Sequence, residues 1–290
     1  MAALVYLNAL DNPLVYDDHR VVLENYSIRD LSDVRALFLN DVFRPVVNIS
    51  YALDYARAGL APSGYHLTSL LLHIANVVLL FVLVRLLASD ARAMRYAPAV
   101  MPKAVAPASA AAPGRKKQRQ AAGKMAPPPD PEVADTANTA AFASAAVWAV
   151  HPLMTQAVGY VSGRSELLCA LFMLTSFLCL HAWLFRRGAA WLVASIASWM
   201  LALASKEVAV MLPVVLLAYS RLLLPREDGD IRRRLARVSI PMLAFVAVAG
   251  AARLFVFAGV ENVSRASFSW GNILVGLDVV RRYTALIFMT

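Results

Sequence analysis

Six long apolar stretches constrain the fold of this chain more than any other feature of its sequence. A helix needs roughly 20 apolar residues to cross the hydrocarbon core of a bilayer, and a soluble helical bundle rarely needs helices this uniformly apolar. The sequence therefore predicts an all-α, polytopic membrane protein with a multi-span helical bundle. The predicted spans lie at about residues 67–88, 139–158, 166–185, 189–205, 208–224 and 238–258.

The composition supports a membrane protein and argues against several other classes. Apolar residues make up 60% of the 290 residues and charged residues 16%, which is too apolar for an ordinary soluble domain. Cys169 and Cys179 lie in one apolar stretch, so they predict neither a disulfide framework nor a metal-binding knuckle. Residues 1–10 lack the basic region of a signal peptide, and we interpret them as a remnant of a first transmembrane helix.

The positions of Lys and Arg predict which side of the membrane each loop faces. Segment 85–139, the connector "FRRG" and segment 221–237 share one side and hold nine, two and six of the 28 basic residues. That side is predicted to be cytoplasmic, so residues 11–65 form an extracytoplasmic loop. The basic residues are scattered without interleaved aromatic residues, so no nucleic-acid partner is predicted.

A linker is predicted to interrupt the transmembrane bundle of residues 66–290. Residues 89–138 are rich in Ala and Pro and contain the basic run "GRKKQRQ", a composition typical of a flexible segment. The basic run is interpreted as a positive anchor on the cytoplasmic side, with contact to anionic lipid headgroups as the alternative.

The loop of residues 11–65 carries signals for its own local structure. In "SIRDLSDVRALFLNDVF", Ser27 and Ser32 are predicted helix caps, and apolar residues follow at helical spacing. One or two short amphipathic helices are therefore expected along the membrane surface. Such a loop could roof a cavity at the outer interface.

The stretch "VYDDHR" places two acidic residues, Asp17 and Asp18, side by side in this loop. A carboxylate held near the membrane surface can act as a general base on a hydroxyl group. The alternative is a purely structural Asp-rich turn or helix cap, which the dipeptide alone favours.

Five segments carry a resemblance to a known family. In chain order they are "VYDDHRVVLENYSIRDL", "FRPVVNISYALDY", "GLAPSGYHLTSLLLHIAN", "VHPLMTQAVGYVSGRSELL" and "LASKEVAVMLPVVLLAY". Their order and spacing resemble the transmembrane O-mannosyltransferases that carry tetratricopeptide repeats, which are GT-C-type glycosyltransferases with a lipid-linked sugar donor. The resemblance covers residues 5 to about 258, interrupted by the linker.

The resemblance implies a function and a mechanism. A hexose, with mannose the expected sugar, would move from a polyprenyl or dolichyl phosphate carrier to Ser or Thr hydroxyls of an acceptor protein. Asp17 takes the position of the catalytic base, and Asp18 would position the acceptor or the base, although the residues alone leave their roles interchangeable. No cofactor and no bound metal are implied. The implied location is the periplasmic face of a bacterial inner membrane or the lumenal face of the endoplasmic reticulum membrane.

Three basic residues are candidates to neutralise the phosphate of the donor. Arg44, Arg164 and Lys206 lie in or beside predicted extracytoplasmic loops, and arginine suits phosphate oxygens because of its fork geometry. The alternative for each is a residue that extends to the membrane interface without a binding role. Glu166 and Glu207 lie close to Arg164 and Lys206 in short turns, which favours a functional role there.

Other polar residues near the outer interface are candidates to line the cavity. These are His66, His151, Glu166 and Glu207. Neutral histidines in a helical bundle usually make interior hydrogen bonds, and a metal site is not predicted. Asn25, Asn48 and Asn262 begin Asn-X-Ser triplets, which are glycosylation acceptors in a protein of the endoplasmic reticulum.

Two alternatives to a transferase stay open. Members of the family have a complete first helix, further spans and a long repeat region, so we expect the chain to be a fragment or incomplete. A catalytically silent membrane scaffold is therefore the second hypothesis. A transporter ranks third, because charged residues gather at the span ends instead of mid-membrane. The polar residues inside the second predicted span, His73 and Asn76, are expected to make hydrogen bonds between helices.

Overall fold

The protein is an all-α membrane protein, as predicted. The structure is a computed structural model that describes residues 2–96, 131–186, 188–222, 224, 229–260 and 270–288, and these residues contain no β-strand. The α-helices are α1 (Ala2–Tyr6), α2 (Val34–Asn40), α3 (Pro45–Ala58), α4 (Pro62–Tyr96), α5 (Pro131–Val150), α6 (Met154–Gly159), α7 (Arg164–Arg186), α8 (Ala189–Leu203), α9 (Leu212–Leu222), α10 (Gly229–Val260) and α11 (Trp270–Phe288).

Three helical segments among the described residues are long and apolar enough to cross a membrane. They are Pro62–Ser89 in α4, Arg164–Arg186 in α7 and Gly229–Ala252 in α10. The segments Ala2–Asp11 and Ala189–Leu203 are apolar but shorter. The GT-C arrangement and the full set of six spans stay predictions.

Two helices differ from the predicted span limits, one of them because of a proline. The helix over the predicted span 139–158 ends at Val150, and α6 starts only at Met154. Proline disfavours the α conformation of the preceding residue and has no N–H to donate, so the helix stops just before His151–Pro152. The predicted span 208–224 also differs, because a 3-10 turn at Glu207–Met211 comes first and α9 starts only at Leu212.

Polar side chains join the long helices to one another. His73 in α4 donates from Nε2 to the carbonyl oxygen of Ala149 at 3.2 Å, and Asn76 donates to the carbonyl oxygen of Leu167 at 2.9 Å. These bonds link α4 to α5 and to α7, so the expected role of both residues in helix packing is confirmed. Because apolar surroundings provide no competing partners, such bonds favour one register between neighbouring helices.

The first loop folds as a cap on the N-terminal end of α7. Its buried apolar residues form one cluster with residues of α4, the 160–163 turn and α7. The cluster contains Leu14, Val22, Ile28, Leu37, Val47, Tyr51, Ala52, Tyr65, Val161 and Leu168. Burial of this surface stabilises the loop by the hydrophobic effect, so residues 14–52 are held by packing and not only by their ends.

The predicted caps at Ser27 and Ser32 are wrong. Asn25 caps the short turn Tyr26–Arg29 by accepting from the Ser27 backbone N–H, and Asp33 caps α2 by accepting from the Ala36 N–H. The Ser27 hydroxyl instead donates to the Asn25 side chain at 2.7 Å. Carboxylate and amide oxygens are strong cap acceptors, and here each precedes the first turn by one residue.

The predicted linker of residues 89–138 is described only at its edges. Helix α4 continues to Tyr96, and α5 begins at Pro131. Residues 97–130, including the run "GRKKQRQ", lie outside the described residues, as does Asn262.

Candidate functional site

A cavity of about 1250 Å³ lies between the first loop and two turns of the bundle. Its wall is formed by the turn that starts at Tyr16, by the junction of α2 and α3, by the segment from Pro152 to Glu166, and by Lys206 and Glu207. The volume accommodates a molecule larger than a single sugar. Four residues predicted from the sequence as catalytic, phosphate-binding or cavity-lining meet here beside Asp17, namely Arg44, Glu166, Lys206 and Glu207.

The side chains of the two neighbouring aspartates lie in different environments. Tyr16 has a φ of 50°, in the left-handed region that residues other than glycine adopt rarely. After this turn, Asp17 is exposed and lines the cavity, whereas Asp18 is fully buried. Asp18 accepts from the Ser162 N–H at 2.8 Å and from the Val15 N–H at 3.4 Å.

This arrangement separates two tasks that the sequence leaves interchangeable. The Asp18 carboxylate ties the first loop to the 160–163 turn through the Ser162 N–H. A buried carboxylate needs such donors, because burial without hydrogen bonds is costly. The Asp17 carboxylate is left in contact with the cavity, where it can meet a ligand.

Two ion pairs hold Arg44 and Lys206 at the cavity wall. Arg44 Nη2 lies 3.1 Å from Glu207 Oε2, and Lys206 Nζ lies 2.7 Å from Glu166 Oε1. The pairs are partly exposed, so each adds at most about 1 kcal/mol to stability. Their effect is geometric, because they connect the first loop and α7 to the "SKE" turn.

The backbone around Arg44 explains its position. Asp41 Oδ1 accepts from the backbone N–H groups of Phe43 and Arg44, both at 3.1 Å, which forms a tight turn before α3. The N–H of Val46 donates to the carbonyl oxygen of Ala204 at 3.3 Å. The start of α3 is therefore fixed against the end of α8.

Arg164 lies outside this cavity, although the sequence predicts a phosphate contact there. Its side chain is fully buried, with Nη1 2.6 Å from Asp54 Oδ2 and Nη2 donating to the Tyr65 carbonyl oxygen at 2.7 Å. The guanidinium carbon lies 4.8 Å from the centre of the Tyr51 ring. A buried charge requires such partners, so we assign Arg164 to holding α3 and α4 against α7.

Tyr51 connects this buried pair to the cavity. Its hydroxyl donates to the carbonyl oxygen of Val161 at 3.0 Å, one residue before the Ser162 N–H that holds Asp18. Burial raises the pKa of the Tyr51 hydroxyl well above its usual value, so this group stays a donor. The ring also lines the cavity.

The two predicted histidines do not line the cavity directly. His66 is fully buried in α4. His151 accepts at Nδ1 from the Leu153 N–H at 3.2 Å, which shapes the turn between α5 and α6, and Pro152 and Leu153 form the cavity wall instead. Among the described residues, no group of three or more His, Cys, Asp or Glu side chains could hold a metal ion.

Sequence reasoning missed three charged residues of the cavity, Arg20, Glu24 and Asp41. Arg20 and Glu24 follow Asp17 at spacings of three and seven residues, in the π-helical turn His19–Leu23 and at its C-cap. These spacings would place side chains on one face of an α-helix, so the pattern "DDHRVVLE" offered a signal for Arg20 and Glu24, although the segment forms a π-helical turn.

Comparison with known proteins gives a consistent result. The chain is 29% identical over 187 residues to protein O-mannosyl-transferase Tmtc3 of Drosophila melanogaster, which covers 60% of the chain and 17% of that protein. It is 25% identical over 223 residues to protein O-mannosyl-transferase Tmtc1 of the same fly, covering 72% of the chain and 20% of that protein.

Protein O-mannosyl-transferase TMTC3 of Homo sapiens is 25% identical to the chain over 186 residues, which covers 60% of the chain and 15% of the human protein. Over this part of its length, the chain is related to the TMTC protein O-mannosyl-transferases. The predicted family resemblance is thereby confirmed. The match spans a fifth or less of the length of these relatives. Neither a family model nor a solved structure matches the chain.

Proposed function

We propose that the chain forms the catalytic region of a membrane glycosyltransferase that acts on proteins. It transfers mannose from a dolichyl or polyprenyl phosphate carrier to the hydroxyl of a Ser or Thr residue. The observation that carries this proposal is the position of Asp17, exposed in a cavity that also contains Arg44 and Lys206. The names of the related proteins support the sugar and the protein acceptor.

In this mechanism Asp17 acts as the general base. Its carboxylate accepts the proton of the acceptor hydroxyl while that oxygen forms a bond to the anomeric carbon of the sugar. The bond between the anomeric carbon and the phosphate oxygen breaks, and its electron pair leaves with the lipid phosphate. A single displacement of this kind inverts the configuration at the anomeric carbon.

The remaining residues position this base and the charged leaving group. Asp18 fixes the turn that presents Asp17, because it accepts from the Ser162 N–H. Arg44 and Lys206 supply positive charge at the cavity wall, where it stabilises charge that develops on the phosphate. Glu207 and Glu166 keep these two side chains in place before the donor binds.

The proposed reaction takes place on the lumenal or periplasmic side of a multi-pass membrane protein. The cavity lies at the end of α7 that starts with Arg164, whereas the basic connector "FRRG" follows the opposite end at Arg186. Basic connectors favour the cytoplasmic side. The cavity is then on the opposite side from the cytoplasm.

A transfer assay tests the proposed function. Membranes that contain the protein are supplied with radiolabelled dolichyl phosphate mannose, and label is counted on membrane proteins. The variant Asp17→Asn is expected to lower the rate about 100-fold or more, since it removes the general base. Asp11→Asn is the matched control, because Asp11 is also an exposed acid of the N-terminal region but does not line the cavity. Equal rates for Asp17→Asn and wild type would contradict the assignment.

A non-catalytic scaffold is the second candidate function. Arg44 and Lys206 both have carboxylate partners already, as expected for residues that only hold elements together. This candidate predicts no transfer by correctly inserted wild-type protein with any donor of this class, and no change in its membrane assembly in Asp17→Asn.

A further inference from the structure

Arg20 differs from the other basic residues of the cavity. It lines the same wall as Asp17 and is exposed. Arg44 and Lys206 pair with Glu207 and Glu166. In the part of the chain that the structure describes, Arg20 makes no ion pair and no hydrogen bond through its side chain. Its guanidinium is therefore ready to meet an anionic ligand without displacing a carboxylate.

Arg20 also stands next to the proposed base. It follows Asp17 by three residues and lies in the π-helical turn His19–Leu23, which begins two residues after Asp17. Both side chains reach the same cavity. A group bound by Arg20 is thus close to the carboxylate of Asp17.

Acidic side chains outnumber basic ones at the cavity wall, so an anionic ligand needs a cation that is not already paired. The wall carries five acidic and three basic side chains, the acidic ones being Asp17, Glu24, Asp41, Glu166 and Glu207. A phosphate brought into this cavity meets repulsion from the acidic groups that lack a basic partner. A nearby guanidinium offsets that repulsion and donates two parallel N–H bonds to phosphate oxygens.

We propose that Arg20 binds the phosphate of the lipid-linked sugar donor directly, while Arg44 and Lys206 add positive charge at the cavity wall from within their ion pairs. The proposal rests on the proposed function for the identity of the ligand. Arg20 lies beside the bond that breaks and stabilises the negative charge that the lipid phosphate gains as it leaves.

A binding measurement tests the assignment without requiring turnover. The full chain, purified in detergent, is titrated with the short-chain lipid citronellyl phosphate and with the matching alcohol, citronellol, and binding is followed by native mass spectrometry. Wild type should prefer the phosphate. Arg20→Ala should weaken phosphate binding about tenfold or more and leave alcohol binding unchanged, since charge-assisted hydrogen bonds are lost.

Two further variants make the result specific. Arg20→Lys keeps the charge but not the fork, so its phosphate affinity should fall between those of wild type and Arg20→Ala. Arg35→Ala is the matched control, because Arg35 is an exposed arginine of the same loop outside the cavity, and it should bind as wild type does. Equal phosphate affinity in wild type and Arg20→Ala, or equal binding of phosphate and alcohol by wild type, would overturn the proposal.

The same variants in the transfer assay separate this proposal from the proposed function. If wild type prefers the phosphate but transfers no mannose, the function is wrong and the anion site at Arg20 stands. If wild type transfers mannose and Arg20→Ala keeps the same kcat/KM for the donor, the role of Arg20 is wrong and the function stands. The expected result is a reduced kcat/KM for the donor with an unchanged KM for the acceptor.

Discussion

At the scale of single residues, buried polar side chains hold the first loop in its folded form. Asn25 donates from Nδ2 to Asn48 Oδ1 at 2.7 Å, and Asn48 donates to the Leu37 carbonyl oxygen at 2.8 Å and to the Ser27 hydroxyl at 2.9 Å. Both asparagines are buried. Their amide groups serve the fold, so the Asn-X-Ser triplets at these positions are expected to stay unglycosylated.

Replacement of Asn48 tests this cluster. Asn48→Ala removes one of the two acceptors of the Asn25 amide and the donor to the Leu37 carbonyl oxygen, and we expect a loss of about 1–3 kcal/mol of stability. Thermal unfolding in detergent measures the change, and an endoglycosidase mobility assay on wild type should show no glycan at Asn25 or Asn48. A glycan at Asn48, or unchanged stability of the variant, would contradict the role of the cluster.

The buried Arg164–Asp54 pair makes a second prediction at this scale. Asp54→Asn leaves the fully buried Arg164 side chain without a carboxylate partner, and the expected destabilisation is about 3–5 kcal/mol. The control is Arg57→Ala, since Arg57 contacts the same carboxylate from a 55% exposed position and should cost about 1 kcal/mol or less. Equal effects of the two variants in unfolding experiments would argue against a structural role for Arg164.

At the scale of elements, the turn of residues 160–164 connects the bundle to the proposed site. A Cβ atom at Gly163 would lie 2.6 Å from the carbonyl oxygen of Gln156, so only glycine fits this close approach. The next residue back, Ser162, provides the N–H that holds Asp18. Displacement of this turn would therefore move the donor of the Asp18 hydrogen bond and change the position of the two aspartates.

Gly163→Ala tests this connection. The added methyl group forces the turn to move, and we expect a loss of about 1–3 kcal/mol in stability together with a reduced transfer rate. Gly159→Ala is the matched control, because a Cβ there has no neighbour within 4 Å. If both variants retain wild-type stability and transfer, the turn does not position Asp18 as described.

The elements also show what the sequence could predict. Apolar runs predict where the helices lie, because almost every residue of a buried or lipid-facing helix must carry an apolar side chain. Their breaks at His151–Pro152 and at the turn before α9 depend on local backbone chemistry that a hydropathy pattern averages out. The caps at Asn25 and Asp33 were missed because several adjacent residues are all good caps.

At the scale of the whole molecule, the family and the all-α membrane class followed from the sequence, whereas the roles within the site did not. Arg164 and Asp54 form an ion pair although they are 110 positions apart in the sequence. No local sequence spacing predicts such a contact. The same holds for the Ser162 contact that buries Asp18 and leaves Asp17 in the cavity. The roles of these residues depend on contacts between distant parts of the chain, so the sequence alone left them open.

The orientation of the molecule is testable by labelling. The native cysteines, Cys169 and Cys179, are buried, so background reaction with a membrane-impermeant thiol reagent should be low. Arg35→Cys should react only on the lumenal or periplasmic side, and Asp230→Cys only on the cytoplasmic side, since both positions are exposed. Reaction of both from one side would contradict the proposed topology.

The most direct test of the account compares Asp17→Asn with Asp18→Asn in two measurements, mannose transfer and thermal unfolding. Asp17 faces the cavity and Asp18 holds the fold. Asp17→Asn should therefore abolish transfer at wild-type stability, whereas Asp18→Asn should lower both the unfolding temperature and the transfer rate. Retained transfer in Asp17→Asn, with loss of transfer in a stable Asp18→Asn protein, would contradict the assignment of Asp17 as the base.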